Sequence, residues 1–301
     1  MNAPAGADSQ IHVEGAADDA QGALRTAIGR AAIPSLAGIF YETMGLAWVL
    51  GGIAALTALS LADGDTAVVS RTIGSDLAEP GSAAAIAALL LSIPLILVAA
   101  RVSAGLARIV APGAPDGRKP TLRNSWRSGV SVQVSAVGVW LQIFGMMASG
   151  TLILLGPLVL LALSVGGDTL GPFGVVLSGL ALTLTLVYGA ELGALQELAL
   201  ASLVRHRRGV GSAVLHGWRM MRAHPGPSRR IATIEFVARF VTVAAVVAVT
   251  RRAGLGAGVA TFCALGAITG SVRAHLWANA YPRLGGLDPG YALKKAAEAP
   301  K

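Results

Sequence analysis

The sequence predicts an all-α, polytopic membrane protein with six transmembrane helices and amphipathic helices along the cytoplasmic interface. Hydrophobic residues make up 54% of the chain and the mean hydropathy is +0.64. Charged residues make up only 13%, about half of the roughly 25% that is usual in soluble domains. The apolar residues fall into six segments, each near or above the ~20 residues needed to cross ~30 Å of hydrocarbon.

The chain begins with a polar, acidic stretch that lacks the positive n-region and apolar core of a signal peptide. We therefore expect residues 1–22 to be a disordered tail, residues 23–285 to form the transmembrane domain and residues 286–301 to be a cytoplasmic tail. The predicted spans are Ile33–Ala62, Ala83–Val110, Val137–Leu163, Pro172–Val204, Ile231–Thr250 and Leu255–Tyr281.

The positive charges predict how these spans are oriented, because cytoplasmic loops retain Lys and Arg. Five basic residues lie in 108–127 and seven Arg lie in 205–230, whereas the loop 63–82 has one Arg and four acidic residues. Both termini are therefore predicted to face the cytoplasm, at the inner (plasma) membrane of a bacterium. The Arg251–Arg252 pair is on the outer side in this arrangement and is its one exception.

The net charge of +8 is explained by basic residues that meet the anionic headgroups of the lipid bilayer. A membrane-protein partner is a further expectation, and nucleic acid is not, because the sequence has no soluble basic module with stacking aromatics. The single cysteine, Cys263, excludes an internal disulfide and a thiolate metal site held by this chain alone. Neither HExxH, a P-loop nor GxSxG occurs, so we predict no metal, no cofactor and no catalytic residue.

Two basic loops contain amphipathic helical patterns that are too polar to cross the bilayer. In 121–131 an apolar face with Trp126 opposes a polar face with Arg127, and in 210–222 a face with Trp218 opposes His216 and Arg219. We expect both helices to lie in the cytoplasmic interface, with His216 among solvated headgroup contacts. A fainter version of the pattern, with Leu24, Ile28 and Ala31 opposed to Arg25 and Arg30, precedes the first span. The chain then divides into three units, each an interfacial helix followed by two spans, although basic juxtamembrane segments of any Arg-rich protein share this appearance.

The two stretches also share a short motif of a small residue, Trp and Arg. It is Ser125-Trp126-Arg127 within Thr121–Gly129 and Gly217-Trp218-Arg219 within Ser212–Gly226. In this respect residues 23–285 resemble bacterial six-span families related to the membrane domain of glycerophosphodiester phosphodiesterases. The resemblance implies a membrane architecture only, and no catalytic residue is carried over from it.

Ionisable residues inside the apolar spans are the most informative feature of the sequence. An unpaired charge at the centre of a membrane helix costs about 2.5–3.5 kcal/mol, so pairing or hydration must offset these charges. Counted from the predicted cytoplasmic ends at about 1.5 Å per residue, most lie in one layer of the inner leaflet, and one approaches the midplane. The residues are Glu42, Arg101, Glu191, Glu197, Glu235, Arg239, Arg273 and His275.

Two interpretations of this layer remain open. In the first, buried ion pairs hold helices together and the protein is a non-enzymatic scaffold or accessory component. In the second, the charged side chains line a cavity open to the cytoplasm, and the protein is a carrier or handles lipids or small solutes. Glu191 favours the second interpretation, because it is the deepest and lies between Gly189 and Gly193, where another helix can come close.

Overall fold

The computed structural model describes residues 35–44, 81–111, 119–165 and 171–286, and all regular structure in these ranges is helical. The predictions for the two tails, for most of the first span and for the loop after it concern residues outside the described ranges, apart from Gly286. The helices are α1 (36–44), α2 (Gly81–Ile109), α3 (Leu122–Gly129), followed by a 3-10 turn (Val130–Val132), α4 (Gln133–Val165), α5 (Gly171–His206), α6 (Val210–Ala223) and α7 (Pro225–Arg283).

Helix α7 consists of two antiparallel helices joined at Gly254. This glycine has φ 84° and ψ 172°, a backbone conformation that only glycine adopts readily. The chain reverses there, since a Cβ on Gly258 would lie 1.9 Å from Oγ1 of Thr250, and Arg273 reaches back to Glu235. We call the two halves α7a (225–253) and α7b (255–283). The chain therefore reverses between the last two predicted spans.

Contacts between the helices show that their directions alternate along the chain. Helices α4 and α5 are antiparallel, with the Tyr188 hydroxyl donating to the Met146 carbonyl at 3.0 Å and the Tyr188 ring against Gly150. Helices α5 and α7b are parallel, since Glu197 meets Arg273 and, further along both helices, Arg205 donates to the carbonyl of Ala278 at 3.0 Å. From α4 onwards, the long helices α4, α5, α7a and α7b therefore alternate in direction.

Small residues allow α1 and α7b to pack with their backbones almost in contact. A Cβ on Gly270 would lie 1.9 Å from the Gly38 carbonyl oxygen, and one on Gly266 would meet the side chain of Glu42. The Ser35 backbone N–H donates to the Ser271 hydroxyl at 3.2 Å. This antiparallel pairing joins the first and last described helices.

The outer surface of the helices is strongly apolar. Segments within Leu122–Pro157 and Pro225–Arg283 are long and apolar enough to cross a membrane, and only 22% and 28% of their most apolar stretches are buried. Leu152, Ile153 and Phe240 are 71%, 72% and 65% exposed. Apolar surface of this extent is unfavourable in water, so these helices indicate association with a membrane.

Helix α3 packs alongside α2 and contacts it through small residues. A Cβ on Gly105 would lie 1.8 Å from the Ser125 carbonyl oxygen, and one on Gly129 would lie 1.9 Å from that of Arg101. The buried residues of α3 are accordingly serines and a glycine. The predicted helix at 121–131 is confirmed, but its small face and not its apolar face packs against the protein.

Helix α6 packs on α5 in a similar way. Its Gly217 lies against Leu195, Leu198 and the backbone of Ala199. Trp218 is 41% exposed, like Trp126 of α3 at 37%, so the small face of α6, and not its tryptophan, lies against the protein. Close approach at a glycine decides the orientation, because an apolar side chain that faces lipid needs no protein partner.

We expect Gly270→Ala to destabilise the fold, because the new methyl group would overlap the Gly38 carbonyl oxygen. Overpacking of this kind costs about 1–3 kcal/mol. Thermal unfolding of the purified protein in detergent measures the effect. Gly145→Ala is the matched control, since a Cβ there meets nothing within 4 Å. Equal melting temperatures of the two variants would contradict the backbone contact.

Candidate functional site

Arg273 of α7b lies at the centre of a buried ion-pair network. Its Nε donates to Glu235 at 2.9 Å, Nη1 donates to Glu42 at 2.6 Å and Nη2 donates to Glu197 at 2.6 Å. The four side chains are at most 3% exposed. The carboxylates come from α7a, α1 and α5, so one guanidinium group joins four helices.

Three further side chains complete this network. Arg239 is 2.6 Å from Glu235, one helical turn away on α7a, and 3.7 Å from Glu197. The Tyr41 hydroxyl donates to Glu197, and the Trp277 indole N–H donates to Glu235 at 2.7 Å. We call the whole set the charge cluster; its members are Tyr41, Glu42, Glu197, Glu235, Arg239, Arg273 and Trp277.

Sequence reasoning missed two of these residues. Trp277 is four residues after Arg273 and therefore lies on the same face of α7b, a signal that was present in the sequence. Tyr41 is adjacent to Glu42, and no polar residue of α1 is three or four positions from it, the spacing that places two side chains on one helix face. Its hydroxyl bond to Glu197 on α5 depends on how the two helices pack, which composition does not reveal.

The structure places three of the eight predicted residues outside the charge cluster. The Arg101 guanidinium stacks on the Trp126 ring, 3.7 Å from its centroid, and donates to the Trp126 carbonyl at 3.0 Å. Glu191 pairs with the exposed Arg229 at 3.3 Å and is itself 35% exposed. His275 is buried, with Nδ1 2.9 Å from the Ser271 carbonyl oxygen.

The four predicted interfacial residues lie on α3 and α6. Trp126 and Trp218 are exposed, Arg127 is exposed and Arg219 is half-buried. Each tryptophan precedes its arginine by one residue, so each pair spans neighbouring apolar and polar faces of its short helix. That placement suits a boundary between hydrocarbon and water.

A small cleft lies beside Arg239, between α4, α5 and α7a. Its volume is about 20 Å³, enough for about one water molecule. The Nε of Arg239 is buried and has no hydrogen-bond partner. A residue that lines the cleft therefore has one N–H donor that is not used. The residues lining the cleft are Trp140, Ile143, Phe144, Met147, Gly189, Leu192, Gly193, Gln196 and Arg239.

The carboxylate oxygens of the charge cluster are, with one exception, engaged by N–H and O–H donors of this chain. Within the described ranges no group of three or more His, Cys, Asp or Glu side chains has the arrangement of a metal site. Most of the carboxylate oxygens accept from Arg, Tyr or Trp donors, and the exception is Oε1 of Glu42, which is buried without a hydrogen-bond partner. The chemistry available to the cluster is therefore ion pairing and proton binding.

A second polar group lies where α5, α6 and the end of α7b meet. The His216 ring is 6.4 Å from that of His206 and 6.2 Å from that of Tyr281. His216 is only 5% exposed, so the prediction that it contacts solvated headgroups was wrong. Burial, together with the charges of Arg208, His206 and Arg219, lowers the pKa of His216 to about 4.

We expect stability to fall as the pH is lowered from about 6.5 towards 4. His216 is neutral in the folded protein, and the unfolded chain, with an ordinary pKa of about 6.5, binds the proton more readily. The loss is about 1–2 kcal/mol between pH 7 and pH 5. His216→Gln removes this contribution. Melting temperatures of both proteins across the range measure it, and parallel curves would contradict the assignment.

The comparisons with known proteins leave the fold and the charge cluster as the only guides to function. No protein family model matches this chain, and neither a curated protein nor a solved structure is significantly similar to it.

Proposed function

We propose that this chain is an integral protein of a bacterial inner membrane with six membrane-spanning helices and both termini in the cytoplasm. It acts as a non-enzymatic scaffold or accessory component, in contact with anionic headgroups and with a membrane-protein partner. The alternating directions of the described helices and their exposed apolar surfaces support six spans. The exposed tryptophan–arginine pairs of α3 and α6 support a position of these helices in the cytoplasmic interface.

The observation that carries the proposal is the complete use of the Arg273 guanidinium group. All three of its nitrogens bond to carboxylates of this chain, and only 2% of the side chain is exposed. A substrate would have to displace an internal carboxylate, which would leave a buried charge unpaired at a cost of about 3–5 kcal/mol. The cluster therefore serves to hold the helices together.

The alternative function is a carrier or a lipid- or small-solute-handling protein that uses the charge cluster. One observation favours it: the cleft beside Arg239 brings the edge of the cluster close to Gln196 and to the aromatic rings of Trp140 and Phe144. A guanidinium group beside aromatic rings suits a phosphate or carboxylate with an apolar tail.

Two variants separate these functions. Arg273→Met should reduce the folded yield sharply, because three buried carboxylates lose their shared partner. Gln196→Leu changes the cleft without touching an ion pair of the cluster, and should leave both yield and retained lipid unchanged. Size-exclusion chromatography in detergent measures the folded fraction, and native mass spectrometry measures lipid retained from vesicles of phosphatidylglycerol and phosphatidylethanolamine.

Arg229→Met is the control for loss of an arginine, because this side chain is 71% exposed in its pair with Glu191 and such pairs contribute only about 0–1 kcal/mol. Normal yield of Gln196→Leu with loss of retained lipid would replace the scaffold by the carrier. Normal yield of Arg273→Met would contradict the structural role of the cluster.

Reporter fusions test the proposed topology. A fusion after residue 215 in α6 should be active only as a cytoplasmic reporter, and a fusion after residue 253, at the reversal of α7, only as a periplasmic one. The pair is informative because α7a alone separates the two sites. Equal activity at both sites would overturn the six-span arrangement, and the reversed pattern would overturn the cytoplasmic placement of the termini.

A further inference from the structure

The charge cluster contains one more carboxyl group than guanidinium groups. Glu42, Glu197 and Glu235 contribute three carboxylates when ionised, whereas Arg239 and Arg273 contribute two positive charges. The three glutamates are at most 3% exposed. A single uncompensated charge in such a site costs several kcal/mol, so a fully ionised cluster would be strongly disfavoured.

The donors around the three carboxyl groups are distributed unequally. Glu235 faces N–H groups of Arg273, Arg239 and Trp277. Glu197 receives one hydroxyl and one guanidinium donor. Glu42 receives a single donor, from Arg273, and its Oε1 is buried with no partner at all. Ionised carboxylates are stabilised by such donors, so Glu235 is the carboxyl group best arranged to stay ionised.

Among the described residues, three other ionisable side chains that the sequence or the fold places on helices around the cluster have partners elsewhere. Arg101 of α2 stacks on Trp126, and Arg229 pairs with Glu191. His275 lies two residues after Arg273 on α7b and bonds to the Ser271 carbonyl. A metal cation would need about six oxygen ligands, whereas the carboxylate oxygens of the cluster other than Oε1 of Glu42 already face N–H or O–H donors.

We propose that the charge cluster is a proton-binding site that holds one proton at neutral pH, on Glu42 or Glu197, while Glu235 stays ionised. The bound proton makes the cluster electrically neutral within the membrane. This inference rests on the membrane location proposed above but not on the scaffold function, because a carrier with the same cluster would need the same proton.

Infrared spectroscopy of the full-length protein in lipid nanodiscs tests the proposal. At pH 7 the wild type should show the carbonyl stretching band of one protonated carboxylic acid, which shifts in heavy water. The band should disappear in each of Glu42→Gln, Glu197→Gln and Glu235→Gln, because the two remaining carboxylates balance the two guanidinium groups without a proton. It should persist in the control His275→Gln, which removes the neighbouring titratable side chain of α7b and leaves all three glutamates of the cluster in place.

Thermal unfolding of the same variants gives a second readout. The glutamine that replaces the protonated carboxyl group should change the melting temperature by less than about 2 °C, because an amide is its neutral isostere. Glu235→Gln should lower it by more than about 5 °C, since it removes a paired charge.

Four results would overturn the proposal: no carboxylic acid band in the wild type at pH 7, a band that is lost in His275→Gln, a band that appears only after sodium and potassium are removed, or an equal loss of stability in all three glutamine variants. None of these depends on the yield of Arg273→Met, so failure of the proton site and failure of the scaffold function are distinguishable.

Discussion

The fold depends on the need to keep the Arg273 guanidinium group paired away from water. Inside the buried cluster no solvent can replace a missing carboxylate, so Glu42, Glu197 and Glu235 must all reach one point. That requirement fixes the positions of α1, α5 and α7a along the axis of α7b. The contact of Gly38 with Gly270 follows from it, because the short glutamate side chain reaches Arg273 only if the two helices lie close together.

The reversal at Gly254 serves the same constraint. Glu235 and Arg273 are equally distant in the sequence from this glycine, so an antiparallel hairpin places them opposite each other. A continuous helix over the whole of α7 would separate them by more than about 50 Å. The positive φ of Gly254 therefore contributes to stability indirectly. A residue that tolerates this backbone conformation lets the chain reverse, and the reversal brings the buried pair of Glu235 and Arg273 together.

The sequence revealed the helices and most of the charge cluster because ionisable residues are conspicuous in apolar segments. Depth along a span was enough to group Glu42, Glu197, Glu235, Arg239 and Arg273. Depth did not show that Arg101, Glu191 and His275 lie outside the charge cluster, because depth does not specify the direction in which a side chain points around its helix. Hydrophobic patterning also did not indicate that α6 contacts α5 at Gly217, where the missing side chain allows the close approach.

The excess carboxyl group distinguishes this cluster from one that only joins helices. Two glutamates and two arginines would balance, and Glu235 with Glu197 would already pair with Arg239 and Arg273. Glu42 adds a third carboxyl group at a place where one oxygen finds no donor. The third carboxyl group is therefore not needed for pairing with the two guanidinium groups. In a buried site crowded with N–H donors, a proton is the cation that this carboxyl group can bind.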